Sequence, residues 1–112
     1  MSDEARLKVV LCWHMHQPQY RDLVSGTYQR PWTYLHAIKD YVDMAAHLEA
    51  LPRARAVVNC APLLLEQIED YARQVEGFLT NSLAIRDPLL AALVSPALPP
   101  SDEQRMMLIK AC

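Results

Sequence analysis

The sequence predicts an α/β fold built from the first β/α units of a parallel sheet. Two apolar runs have the length of strands, one rich in Val, Leu and Trp and the other in β-branched residues. After each run, apolar residues recur three or four positions apart, as on one face of a helix. Prolines stand at the boundaries of these segments. The order strand, helix, strand, helix is typical of parallel strands joined by helical crossovers.

The first predicted strand runs from Leu7 to His16 and contains neither proline nor glycine. We expect it to be buried on both faces, like a strand inside a parallel sheet. From Gln17 to Pro31, two prolines, a glycine and several polar and aromatic residues predict an irregular connection. Connections longer than the usual ~2–6 residues of a β-to-α loop are commonly functional or disordered.

The first predicted helix begins after Pro31 and runs from about Trp32 to Leu51, where Pro52 ends it. Its apolar face is predicted from residues three or four apart: Leu35, Ile38, Val42, Ala45 and Leu48. The opposite face carries charged residues that we expect to meet solvent.

The second predicted strand covers Ala56 to Ala61, and Pro62 opens a second helix that closes at Gly77 or a few residues later. Its buried side is predicted from Leu64 or Leu65, Ile68, Tyr71 or Ala72, Val75 and Phe78. A short helix is predicted from Asp87-Pro88 to about Val94. Ser101 and Gln104 have the spacing of a capping box for a last helix.

The composition excludes several classes of protein. With 112 residues, 52% hydrophobic and 21% charged, the chain has the composition and length of one globular domain at most. A net charge of −2 gives no reason to expect binding to nucleic acid or to an anionic membrane. The three cysteines are odd in number and far apart, which favours a reducing compartment. Without an export signal or an apolar run of ~18 residues, the predicted location is the cytoplasm.

Two predicted strands cannot close a barrel, which takes ~200 residues or more. A two-stranded parallel sheet would also leave its edges and much apolar surface uncovered. The last predicted helix reaches Cys112 with no capping signal. We therefore expect residues 1–112 to be a fragment of a longer protein.

Two histidines close the first predicted strand. His14 and His16 are two residues apart, so on a strand they would project from the same face at its C-terminal end. This is where α/β enzymes place their chemistry. The alternative is that both rings are held by polar neighbours within a packed layer. Trp13 and Met15 would point the other way and pack against helices, and Cys12 is expected to lie in the core.

The run Cys12-Trp13-His14-Met15-His16-Gln17-Pro18 resembles the N-terminus of glycoside hydrolase family 57, as do Tyr20-Arg21-Asp22 and the run from Pro31 to Tyr41. The run from Val58 to Ile68 is similar to the second strand and helix of the same proteins. The similarity extends from about Val9 to Tyr71 and more weakly to Cys112. Its most specific element is His16-Gln17-Pro18, which matches the first sequence signature of the family.

The resemblance implies an incomplete β/α barrel of seven strands, of which residues 1–112 would be the N-terminal part. It also implies retaining chemistry on α-glucans or maltooligosaccharides. The activities implied include α-amylase, 4-α-glucanotransferase, branching and α-galactosidase reactions, without a metal or an organic cofactor. It also implies a glutamate nucleophile and an aspartate acid/base on later strands, outside these residues. We therefore expect the 112 residues alone to be inactive.

The candidate substrate-binding residues are His14, His16, Gln17, Trp32 and Asn59. Neutral imidazoles can donate hydrogen bonds to sugar hydroxyls. Gln17 could contact a hydroxyl or only cap the strand, and Trp32 could stack on a pyranose ring or only pin the loop. Asn59 would end the second strand close to the histidines, or bond to backbone as a buried amide.

Several charged residues are expected to be structural. Asp22 beside Arg21 could bind sugar hydroxyls but fits an exposed ion pair better. His36 and Asp40, four apart on a helix, are predicted to pair. Three carboxylates, Glu66, Glu69 and Asp70, lie on a predicted solvent-facing helix. They do not suit a retaining pair, which needs carboxyl groups facing each other at ~5 Å.

Two alternatives remain open. Histidines at this spacing on a first strand would also suit two ligands of a catalytic zinc, as in metal-dependent amidohydrolases or deacetylases. The second alternative is not an enzyme: a partial barrel that self-associates and buries its open sheet edges against a second copy.

Overall fold

The computed structural model describes residues 6–112. Two short strands, β1 (Cys12–Met15) and β2 (Val57–Cys60), form a parallel sheet. The helices are α1 (Trp32–His36), a π-helical segment (Ala37–Tyr41), α2 (Val42–Glu49), α3 (Pro62–Asn81), α4 (Pro88–Val94) and α5 (Asp102–Ala111). The predicted α/β class is therefore confirmed as a small parallel sheet with helices, whereas the seven-stranded barrel stays a prediction.

The first strand is much shorter than predicted. It holds four residues, and the preceding apolar residues lie outside it, with Leu7 89% and Val9 71% exposed. The prediction of a strand from Leu7 to His16 buried on both faces was therefore wrong. Among the described residues β1 has a single neighbour, β2, so no third strand extends the ladder or covers the apolar side chains.

The first helix begins after Pro31 as predicted but is not regular. A π-helical turn includes more residues than an α-helical turn, so the segment from Ala37 to Tyr41 changes which side chains share a face. The predicted apolar stripe is not a buried one: Leu35, Ile38 and Val42 are all exposed. Periodicity of 3.6 residues does not foresee such a segment.

The remaining helices follow the sequence signals closely. Pro62 is the first residue of α3, which ends at Asn81 with Ser82 in the left-handed region at φ 54°. Asp87 caps α4 by accepting a hydrogen bond from the Leu90 N–H at 2.8 Å. Ser101 caps α5 by accepting one from the Gln104 N–H at 3.2 Å. The predicted starts of both helices are thus confirmed.

The buried core lies between the loop that follows β1, α3 and α4. Tyr28, Tyr71 and Leu90 form its centre, and the rings of Tyr28 and Tyr71 stack with centroids 4.1 Å apart. The loop is more regular than predicted, because Arg21 and Tyr28 form an antiparallel bridge. Between them the Asp22 carboxylate accepts from the backbone of Val24 and Ser25 and shapes the turn.

The overall shape is elongated. The radius of gyration is 19.3 Å, whereas a compact domain of this length has one of about 13 Å. Large apolar side chains are exposed along the sheet and its neighbouring helices, including Leu11, Ile38 and Val57.

None of the helices in residues 6–112 combines the length and the apolar character needed to cross a membrane.

Candidate functional site

The two histidines lie side by side at the end of β1. Their rings are nearly parallel, with centroids 6.1 Å apart and an angle of 13° between the planes. Cys12, His14 and His16 are all exposed, while Trp13 and Met15 are half-buried on the opposite face. The predicted alternation of faces is therefore confirmed, but Cys12 does not lie in a core as predicted, because none of residues 6–112 covers this face of the sheet.

Asn59 reaches the site from the second strand. The parallel register sets Asn59 directly opposite His14, so the two side chains share a face. Asn59 Oδ1 lies 2.6 Å from His14 Nδ1. The predicted proximity of Asn59 to the histidines is confirmed, and its amide bonds to a side chain rather than to backbone.

Gln17 follows the histidines and is held at both ends of its amide. Its Nε2 donates to the Tyr41 hydroxyl at 3.2 Å, and the Tyr20 hydroxyl donates to its Oε1 at 3.1 Å. Burial and the nearby Tyr41 raise the pKa of Tyr20 above its ordinary value. Sequence reasoning missed Tyr41, because its position depends on the π-helical segment.

Trp32 is the first residue of α1 and lies beside the loop that follows β1. Trp32 is 40% exposed, and its ring meets the ring of Tyr20 edge-on, with centroids 5.7 Å apart. The Arg30 guanidinium lies 5.7 Å from the centroid of the Trp32 ring. These contacts pin the indole to the loop and leave part of it exposed.

A buried glutamine anchors the exit of β1. Gln67, fully buried on α3, donates to the carbonyl of Pro18 at 2.9 Å and accepts from the N–H of Tyr20 at 3.2 Å. The chain is therefore fixed two residues after His16. Sequence reasoning missed this residue, although a polar side chain between Leu64 and Tyr71 on an apolar helix face was a signal for it.

The loop is tied to the helices by two carboxylates. Buried Asp87 accepts from the N–H of Tyr28 at 2.7 Å. Asp70 accepts from the Tyr28 hydroxyl at 2.9 Å and pairs with Arg86 at 2.7 Å. Burial alone would raise the pKa of Asp70, but hydrogen bonds from Arg86 and Tyr28 outweigh it and leave that pKa below its ordinary value. Burial, and after it the hydrogen bond to Asp70, raise the pKa of Tyr28.

Two further acidic residues of α3 are engaged in ion pairs. Arg21 pairs with Glu66 at 3.1 Å rather than with its neighbour Asp22, because the loop lies against α3. Glu69 pairs with Arg73 at 2.6 Å. The predicted contact between His36 and Asp40 is present. Within residues 6–112, no three His, Cys, Asp or Glu side chains are grouped so that they could hold a metal ion.

Parallel strands whose carboxyl ends carry polar side chains, each followed by a helix, are typical of the class of β/α enzymes that act at this edge of the sheet. A family model places the chain within that class. The model for glycosyl hydrolase family 57 matches residues 10–104, and the chain belongs to this family. Its general function is therefore of the glycoside hydrolase type. Comparison with curated proteins and with solved structures gave no match.

Proposed function

We propose that this chain supplies part of the donor-sugar pocket of a retaining enzyme acting on α-glucans, of the α-amylase, 4-α-glucanotransferase or branching type. In this proposal, His14, His16, Gln17, Trp32 and Asn59 form the part of the pocket that these residues contribute. The catalytic glutamate and aspartate come from outside the chain, which by itself is inactive. The observation that carries the proposal is the pair of exposed imidazoles on one face of β1.

Exposed imidazoles suit a polyhydroxylated ligand. Each neutral ring has one nitrogen that donates and one that accepts, which matches the hydroxyl groups of a pyranose. Trp32 adds an exposed indole edge close to the same loop. A pocket with a few polar groups and an aromatic wall is typical of sugar recognition.

Gln17 contributes to the pocket through its tyrosine partner. Because Gln17 Nε2 donates to the oxygen of Tyr41, the hydroxyl hydrogen of Tyr41 is left for another acceptor. A sugar oxygen could take that hydrogen. We therefore add Tyr41 to the pocket and assign Gln17 the task of orienting it.

The ion pairs of the carboxylates on α3 support the proposal that the chain is inactive by itself. Glu66, Glu69 and Asp70 each form an ion pair with an arginine. A retaining mechanism needs a carboxylate free to attack and a second one to protonate the leaving group, across ~5 Å. The paired carboxylates of α3 do not suit either role.

The proposal is tested by titrating the ¹⁵N-labelled chain with maltotriose and following amide and imidazole shifts. We expect shifts at the end of β1. His14→Ala and His16→Ala should each weaken binding roughly three- to tenfold, the loss of one hydrogen bond of about 0.5–1.5 kcal/mol. His47→Ala is the matched control, since His47 is an exposed histidine on α2. Equal binding by all three variants, or no binding by the parent chain, would contradict the proposal.

The geometry of the His14 and His16 rings also bears on the alternative of a zinc site. Zinc lies about 2.0–2.1 Å from each ligating nitrogen, so two ligands must converge on one point. Nearly parallel rings 6.1 Å apart do not converge without rotating. We therefore favour the sugar. A stoichiometric zinc complex that His14→Ala abolishes would reverse this preference.

We propose that two copies of the chain associate through the sheet when nothing else covers it. Its support is the apolar surface exposed at both strands, including Leu11 and Val57. We also propose a cytoplasmic location, from the three free cysteines.

A further inference from the structure

The hydrogen bond between Asn59 and His14 has a direction that chemistry decides. The atom of Asn59 that meets the ring is its carbonyl oxygen Oδ1, 2.6 Å from His14 Nδ1. A carbonyl oxygen can only accept, so Nδ1 must carry the hydrogen. The register of the sheet enforces this contact, because His14 and Asn59 are direct partners across β1 and β2.

We infer that Asn59 is a positioning residue that fixes the tautomer of His14, so that this ring presents Nε2 to the ligand as a hydrogen-bond acceptor. In a neutral imidazole, a hydrogen on Nδ1 leaves a lone pair on Nε2. The group bound there must therefore donate, as a sugar hydroxyl can. This inference rests on the proposed sugar pocket and deepens it, since it reverses the expected direction of the bond at His14.

His16 gives the site a second and different imidazole. It makes no side-chain hydrogen bond to another part of the described chain, so nothing there fixes its tautomer. His14 accepts from a ligand hydroxyl, while His16 adapts to either direction. The two rings thus differ in selectivity, because His14 requires a donating group and His16 does not.

The tautomer can be read directly, without activity and without sugar. In long-range ¹H–¹⁵N spectra, the protonated nitrogen of a neutral imidazole resonates far upfield of the bare one, so each ring reports its own tautomer. The spectra are recorded on the full 112-residue chain at a pH at which the same signals show neutral rings. We expect His14 to carry its hydrogen on Nδ1, with His16 as the internal reference.

Two variants separate positioning from mere structure. Asn59→Ala removes the accepting oxygen, and the Nε2–H tautomer should then become the major form at His14. Asn59→Asp keeps an oxygen at the same place and should preserve the Nδ1–H tautomer. The side chain of Asn59 is exposed, so neither change leaves a cavity. Nε2–H in the unsubstituted chain, or an unchanged tautomer in Asn59→Ala, would overturn the inference.

Maltotriose distinguishes this inference from the proposed function. A change in the His14 Nε2 shift on adding maltotriose supports both. If the Nδ1–H tautomer is present but Nε2 does not respond to maltotriose, the pocket at His14 is lost while the positioning by Asn59 stands. If the tautomer is Nε2–H, the positioning fails whether or not maltotriose binds.

Discussion

The region around Tyr28 and Tyr71 and the region around the sheet contrast in how well they are covered. In the first region, which we call the tyrosine cluster (Tyr28, Tyr71 and Leu90), side chains are buried and Asp87 caps the backbone beside them. In the second, two four-residue strands carry exposed apolar side chains, with Val57 53% exposed. Stability is therefore concentrated away from the candidate site.

The difference shows how a rigid region can hold an open site. His14 and His16 stand on the uncovered sheet, but the chain that leaves them is fixed by Gln67, which belongs to the same helix as Tyr71. The loop then packs into the tyrosine cluster through Tyr28. The loop beside the candidate site is thus ordered by its contacts with the helices, whereas the sheet that carries the two histidines stays exposed.

The largest effect is expected from breaking the tyrosine cluster at Asp87. Asp87→Ala leaves the buried N–H groups of Tyr28 and Leu90 without their acceptors. Each unsatisfied group costs about 1–3 kcal/mol, so we expect a loss of about 2 kcal/mol or more in the free energy of unfolding. Urea unfolding and the hydrogen exchange of the two amides measure it.

Ser101→Ala is the matched control for that variant. Ser101 also caps a helix, but at an exposed position, where the loss is about 1 kcal/mol. If Asp87→Ala destabilised the chain no more than Ser101→Ala, the contrast between a buried and an exposed cap would be wrong.

The uncovered sheet is tested by a charge at Val57. Val57→Lys places an ammonium group on the exposed face of β2, where association through the sheet would have to desolvate it. We expect self-association, measured by sedimentation equilibrium, to weaken about tenfold, which corresponds to about 1.4 kcal/mol. Val24→Lys adds the same charge at a loop residue that is 98% exposed and should leave association unchanged. A monomeric parent chain would remove the proposal.

The smallest effect concerns the pH dependence of the stability that Asp70 contributes through its bond to Tyr28. The pKa of Asp70 is lowered in the folded chain, so its contribution to stability is present above its unfolded pKa of about 3.9. That contribution is lost as the pH falls through the lower, folded pKa. Acid unfolding followed by tyrosine absorbance should therefore be less steep in Asp70→Asn. Asp102→Asn, which alters an exposed ion pair, should keep the parent profile.

Much of the candidate site could be predicted from the sequence. The alternation of side chains along a strand placed His14 and His16 on one face, and parallel strands brought the end of β2 beside them. Tyr41 could not be predicted in the same way, because the π-helical segment shifts its position on the helix. Nor could the partner of Arg21, which is set by the path of the loop over α3.

The sequence by itself determined the order of strands and helices, the helix starts after Pro31 and Asp87, and the shared face of the two histidines. These features depend on residues within a few positions of one another, so local chemistry decides them. Only the tertiary structure decided the short extent of β1, the burial of Gln67 and the bond between His14 and Asn59. The partners in these contacts lie more than forty residues apart in the chain, and His14 and Asn59 are separated by 45. Such contacts depend on how the helices and strands pack, because no local pattern brings distant residues together.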